Sequence, residues 1–502
     1  MEKIFIVIPE KIGTINPNIY GHFVEHLGGV IYDGIWVGED SNIPNINGIR
    51  KDIVDALRKI NPPVVRWPGG CFSETYNWRD GIGPREKRPK TVNWWYTLDN
   101  RLESNKFGTH EFINFCRLVG AEPYFAANIA SIPPLEVRNW IEYCNFPSGT
   151  TSLAELRREN GSTEPFSVKY WGIGNENWGG GGSFTPEDYC TEFRRVTTIV
   201  KSLDRDLRVI ACGANGDDTE WTRRFFEKWK DSTINDPVKF FGYSVHYYCG
   251  TAGNALEFDS NQWYELLYKA SYIEDIIEKH RKIMDTFDPE RKIGLVVDEW
   301  GCWHPEGSGP SKGRNLFEQQ ITMRDALVTG ITLNIFNNHC DKVIMANVAQ
   351  MVNCLHSLFF ANEENFVLTP NYYVFDMYKG HQNGNTIKTI IETEDIQFKA
   401  GDREEKIFGL NCSASIKDKK LTLTIVNPHF TDSCETQIVL FGANEGRVLK
   451  HIVLQAEDPH LFNDLNSPDR VTPVEDHPNL SGKDLVLTLP PASVNLLEIE
   501  LS

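Results

Sequence analysis

Two glutamates stand at the ends of apolar runs: Glu176 closes VKYWGIGNE and Glu299 falls near the end of KIGLVVDEW. A carboxylate in such a position is either half of a structural ion pair or a working acid. A pair of them suits glycoside hydrolysis, in which one acid protonates the leaving oxygen and the other attacks the sugar or activates water. Trp171, Trp178, Trp300 and Trp303 lie close to the glutamates in sequence. Indole faces cover sugar C–H surface; core packing is the alternative, strongest for Trp171 inside its run and weakest for Trp178 beside the glycines 179–182.

Other chemistries fit less well. His22, His26, His246, His304, His339 and His356 form no HExxH, HxH or Cys/His quartet, so no metal is expected. The glycine run lacks a following Lys-Ser/Thr, and GSGPSKG at 307–313 has the wrong spacing for a phosphate loop, so no cofactor is expected either. Cys71 has histidines in the same sequence, but no base and orienting acid accompany it at a spacing that marks a thiol nucleophile.

The elements that must position the glutamates follow from periodicity. Between about 16 and 375, β-rich runs alternate with amphipathic helical stretches, the pattern of parallel strands with crossover helices. Strands are predicted at 18–23, 62–68, 121–129, 168–176, 207–215, 240–248, 292–300 and 342–349, with helices such as 48–60, 109–120 and 185–203 between them. Thr185 is expected to cap the last of these, with Pro186 in its first turn and Glu187 and Asp188 at the positive end of its dipole. Eight such units make a (β/α)8 TIM barrel, whose active site lies at the C-terminal ends of the strands, where both glutamates fall. After about 385 the texture becomes short strands and turns without a long helix, which predicts a C-terminal antiparallel β-sandwich of jelly-roll type. The domains expected are a catalytic barrel over 16–375 and a sandwich built from 1–15 plus 385–502, with the opening IFIVI pairing into it.

Composition narrows the partners. The chain has 502 residues, 40% hydrophobic and 24% charged, as in ordinary globular proteins. Its net charge of −18 repels phosphate backbones and anionic lipid, and PREKRPK at 84–90 is too mixed to offset it, so neither nucleic acid nor membrane is an expected partner. The opening MEKIFIVIPEKIG has no export or anchor pattern, so a cytoplasmic location is expected. The 11 cysteines are then expected as thiols, and the sequons at Asn160, Asn411 and Asn479 without glycan.

The motifs YGHFVEH (20–26), RWPGG (66–70), GIGP (81–84), FGTHEF (107–112), GNE (174–176), VHYY (245–248), DEW (298–300) and MANVAQ (345–350) resemble, in order, glycoside hydrolase family 51, the α-L-arabinofuranosidases. That resemblance runs from the first strand to the sandwich. It implies a retaining, exo-acting enzyme with Glu176 as general acid/base and Glu299 as nucleophile, their carboxyls about 5 to 5.5 Å apart. Arg66 would hold the nucleophile ionised while Glu176 keeps its proton, and Glu25, Asn175, Tyr248 and Gln350 would contact the furanose. One position departs: many members have Asn where this chain has Cys71, and a thiol is a poor partner for a sugar hydroxyl, so one contact in the glycone subsite differs. The implied substrates are arabinan or arabinoxylan oligosaccharides, and the implied assembly is a homo-oligomer, a hexamer by resemblance. Trp94, Trp95 and Tyr96 either line the aglycone side or pack between barrel and loop. A β-xylosidase or endoglucanase of the same clan would share both glutamates, and a non-catalytic sugar-binding barrel is a more distant alternative.

Overall fold

The structure, a computed structural model, describes residues 1–93, 95, 102–204, 206–231 and 239–502. Eight strands hydrogen-bond into a closed barrel in sequence order: β1 (Gly21–Phe23), β2 (Val64–Trp67), β3 (Glu122–Ala127), β4 (Tyr170–Ile173), β5 (Arg208–Asn215), β6 (Gly242–Tyr248), β7 (Gly294–Gly301) and β8 (Val343–Ala349). The pairings of β1 with β2, β2 with β3, β3 with β4, β4 with β5 and β5 with β6 are parallel. Every residue of β7 is buried, as expected of a parallel strand covered on both faces, which is why these strands read as apolar runs rather than as alternation.

The strands are shorter than their apolar runs. β2 begins only at Val64 because Pro62 and Pro63 have no N–H to give a ladder; the Pro63 carbonyl still accepts from Glu122 N at 2.9 Å. Residues 17–20 form a 3-10 turn instead of the first half of the predicted strand.

Helices start and stop where local chemistry dictates. The helix Pro186–Val200 is capped by Thr185 Oγ1, which accepts from Asp188 N at 3.2 Å. The helix Thr109–Val119 ends on Gly120 at φ 80°, a left-handed conformation glycine adopts without strain. The helix Lys51–Ile60 buries Ile53, Val54, Leu57 and Ile60 along one face.

By contacts the chain divides into two compact units. One comprises Gly21–Tyr247 and Ile276–Glu299; the other comprises Met1–Tyr20, Tyr248–Asp275 and Trp300–Ser502. The second contains a ten-stranded sheet in which the strand Glu2–Thr14 pairs antiparallel with Asn385–Glu392 and parallel with Cys434–Phe441. Other pairs in this sheet are antiparallel, for example Lys420–Asn427 with Ser493–Leu501 in the register Leu423↔Leu497. Ile4, Ile6, Leu423, Ile425, Ile438, Leu497 and Ile499 form its buried core. Together with the barrel, this strand-built domain makes the fold a TIM barrel with a β-sandwich.

Within that second unit the helix Met323–Asn338 is buried along nearly its whole length, since the sheet takes up a face that would otherwise meet water. Its polar side chains are matched to the sheet. Asn334 donates to Asn411 Oδ1 at 2.8 Å and accepts from Ser413 Oγ and Thr424 Oγ1 at 2.8 and 2.7 Å. All 11 cysteines are free thiols.

Candidate active site

Strand ends bring the charged groups together. Arg66 lies on β2, Asn175 and Glu176 follow β4, His246 lies near the end of β6, and Glu299 lies near the end of β7. Arg66 is 1% exposed, and it donates through Nη1 to Glu299 Oε1 at 2.8 Å and through Nη2 to Asn175 Oδ1 at 2.6 Å. Its guanidinium also packs over the Phe23 ring, 4.7 Å from the centroid. Asp298 accepts from Tyr124 OH at 2.8 Å and lies 3.9 Å from Arg66 Nε, so Arg66 is held from two sides. Burial opposes the arginine's charge, but Asp298 and Glu299 outweigh it and raise its pKa further.

The two glutamates converge. One oxygen of Glu176, one oxygen of Glu299 and a ring nitrogen of His246 all lie within 4.8 Å of one another. His246 Nδ1 is 3.0 Å from Glu176 Oε1 and 3.6 Å from Glu299 Oε2, bridging the carboxylates. Burial lowers the imidazole's pKa, Glu299 and Glu176 raise it, and the carboxylates win. For Glu176 the largest influence is again burial, which raises its pKa; the His246 contact, the Cys71 thiol and Arg66 together bring it below the ordinary carboxylate value. The sequence reading keeps the proton on Glu176; the His246 contact favours the carboxylate form of Glu176 and the charged form of the imidazole.

The turn after β2 bonds to the same cluster. Glu25 Oε1 accepts from Gly70 N and Phe72 N, both at 3.0 Å, and so fixes the backbone on either side of Cys71. The Cys71 thiol donates to Glu176 Oε2 at 3.3 Å and accepts weakly from Asn175 Nδ2 at 3.8 Å. Burial and three neighbouring carboxylates push its pKa up, so it remains a neutral thiol and not a nucleophile. Gly70 has no room for a side chain: a Cβ there would sit 2.9 Å from Glu299 Oε1. The glycines 179–182 wrap the backbone of residues 175–177, with Gly181 N donating to Glu176 O at 3.0 Å. A Cβ on Gly181 would fall 1.8 Å from Asn175 O. That close approach requires glycine at 181, and Gly182, at φ 120°, adopts a backbone that glycine favours.

Of the residues singled out by sequence, Glu25, Arg66, Cys71, Asn175, Glu176 and Glu299 form one connected cluster. Tyr248 and Gln350 belong to the other unit, where Tyr248 packs edge-on against Trp303 with ring centroids 5.1 Å apart and Gln350 N donates to Cys354 O at 3.2 Å. Trp171 and Trp300 are core: Trp171 packs on Phe125 and Trp140, and Trp300 on Phe336 and Phe375. Trp178 is half-buried and Trp303 is 38% exposed. Trp94 and Tyr96 lie outside the described residues; Trp95 is a half-buried turn residue.

Sequence reasoning weighed His246 only among the histidines, as structural or substrate-contact rather than metal-binding, and it passed over Glu74. His246 was legible as a buried polar residue in step with Ser244 along a strand. Glu74 carries no such mark. Among the other histidines, His26 pairs with Glu103, His304 with Asp325 and His339 with Glu274, each at 2.8 Å. Cys302, His304 and Asp325 present donor atoms within 4.8 Å, but both His304 nitrogens are engaged, by Asp325 and by Thr251.

An eight-stranded parallel barrel that gathers two carboxylates and an arginine at its strand ends defines a barrel glycoside hydrolase. Residues 56–254 match the family model of the α-L-arabinofuranosidase 1 domain, and residues 298–493 that of the α-L-arabinofuranosidase C-terminal domain. The intracellular exo-α-L-arabinofuranosidase of Bacteroides ovatus is 38% identical over 498 residues, covering 97% of this chain and 93% of that protein. The crystal structure of the family 51 arabinofuranosidase from Xanthomonas axonopodis pv. citri superposes with a TM-score of 0.92 at 35% identity over 100% of both chains. The arabinose complex of the Thermotoga maritima α-L-arabinofuranosidase superposes at 0.87 and 30% identity, again over 100% of both. The chain belongs to the α-L-arabinofuranosidases of glycoside hydrolase family 51.

Proposed function

We propose that this chain is a retaining, exo-acting α-L-arabinofuranosidase that releases terminal arabinofuranose from arabinan or arabinoxylan oligosaccharides. The observation that carries this reading is the approach of Glu176 and Glu299 to within 4.8 Å with only Glu299 bonded to Arg66. An approach of that order supports the retaining class, whose carboxyls lie about 5 to 5.5 Å apart, over an inverting pair, which holds a water between carboxyls about 6.5 to 9.5 Å apart.

In the first displacement Glu299 attacks the anomeric carbon, the glycosidic C–O bond breaks, and the leaving oxygen takes a proton from Glu176. In the second, water gives its proton to Glu176 and its oxygen to the anomeric carbon, and Glu299 is released. The Arg66 contact keeps Glu299 an anion until it bonds. His246 holds a proton ready for Glu176. As Glu299 spends its charge on the sugar, the imidazole loses a partner and the proton returns to Glu176. Glu25 and Asn175 contact the furanose hydroxyls, and Cys71 serves the acid rather than the sugar. The intracellular designation of the Bacteroides ovatus relative supports a cytoplasmic enzyme; the homo-oligomer rests on the family resemblance alone.

The test is Glu176→Ala. Its turnover of arabinofuranosides with poor leaving groups should collapse, while an activated aryl arabinofuranoside still reacts and azide restores turnover by taking the place of activated water. Equal loss on both substrates would contradict the assignment. Nitrophenyl xylopyranoside and glucopyranoside cleaved faster than the arabinofuranoside would contradict the sugar.

A further inference from the structure

Glu176 sits in the left-handed region, at φ 42°, where a residue with a Cβ is strained unless its neighbours hold it. The residues on either side of it are held by one carboxylate. Glu74 Oε1 accepts from Asn175 N at 2.7 Å and from Asn177 Nδ2 at 2.8 Å. Its second oxygen, Oε2, accepts from Ile129 N at 2.8 Å and Ala130 N at 2.9 Å, just past the end of β3. Glu74 is 2% exposed and lies on the 3-10 turn Cys71–Thr75, the turn whose Cys71 thiol donates to Glu176. Its own carbonyl accepts from Ser131 Oγ at 2.7 Å. One buried side chain thus ties together the chain beyond β2, β3 and β4. Asn177 extends the clamp by donating to Gly181 O at 2.7 Å.

We infer that Glu74 is a positioning residue for the reaction: by anchoring Asn175 and Asn177 it sets the backbone that aims the Glu176 carboxyl at the leaving oxygen. This rests on the acid/base reading of Glu176. Each Glu74 oxygen takes two N–H groups, so an isosteric amide must turn an NH2 toward two donors, and the segment between them shifts. A displacement of a fraction of an ångström at a proton donor lowers the step that needs the proton far more than it lowers binding.

The experiment uses Glu74→Gln in the full chain, with Glu176→Ala measured beside it. Glu74→Gln should keep KM within about twofold and lose kcat on a poor leaving group by about tenfold more than on an activated aryl arabinofuranoside. Azide should accelerate the variant on the activated substrate, because azide needs no general base, and should leave the unsubstituted enzyme unaffected. A purely structural Glu74 would lower the active fraction alone, giving equal losses on both substrates and no azide response; that result overturns the inference. Should Glu74→Gln fail to fold, Asn177→Ala, which removes one of the four donors, must show the same signature in weaker form, and its absence overturns the inference as well. If Glu176→Ala itself lacks the signature, the acid/base reading falls; if Glu176→Ala shows it and Glu74→Gln does not, only the role of Glu74 falls.

Discussion

A histidine wedged between two carboxylates governs how this site meets pH. Glu176 and Glu299 both face His246 Nδ1, at 3.0 and 3.6 Å, and the imidazole's pKa is raised in consequence. A group whose folded value lies above its unfolded one contributes stability that is fully present below the unfolded pKa and is lost as pH rises through the folded one. Both kcat/KM and thermal stability should therefore fall on the alkaline side, over a window above the ~6.5 of an ordinary histidine. A basic limb centred at or below that value, or one unchanged in His246→Asn, would contradict the bridge. At this scale the sequence was legible for the glutamates, because a charged residue at the end of an apolar strand is conspicuous. It was not legible for Glu74, since a glutamate in a short turn looks like any solvated loop residue, and only its four donors reveal it. Nor was the purpose of Cys71 legible: a poor partner for a sugar is an adequate neutral donor to a carboxylate.

Elements were read more securely than single contacts. Thr185, Pro186 and the two acids that follow announce the helix Pro186–Val200, and the cap forms as local chemistry requires. Strand ends drifted where prolines or 3-10 turns intervene, as at Pro62–Pro63 and residues 17–20, because an apolar run does not say which of its residues find a ladder partner. The helix Met323–Asn338 shows the reverse limit. Its burial depends on the sheet, and the purpose of Asn334 on partners, Asn411, Ser413 and Thr424, more than seventy positions onward. Replacing Asn334 by Ala leaves Ser413, Thr424 and Asn411 short of a partner and should cost about 1–3 kcal/mol in chemical denaturation. Turnover per folded molecule is expected to stay unchanged. A stability within about 0.3 kcal/mol of the parent would show that the three groups satisfy one another without it.

For the whole molecule, the alternation of strands and helices up to residue 375 and the change of texture after 385 were enough to read a barrel and a sheet domain from sequence. The parallel pairing of the first strand with Cys434–Phe441 was not, because strand direction within a sheet leaves no trace in composition. What the barrel achieves is to bring groups from β2, β4, β6 and β7 into one bonded cluster, so that chemistry depends on the closed ring rather than on any one segment. The most direct measurement is the configuration of the glycoside formed when an aryl α-L-arabinofuranoside is turned over in buffer containing methanol, read by proton NMR. Two carboxylates within 4.8 Å predict methyl α-L-arabinofuranoside, the product of two successive inversions at the anomeric carbon. Formation of the β-anomer would mean a single inversion, and the pairing of Glu176 with Glu299 as acid and nucleophile would be wrong.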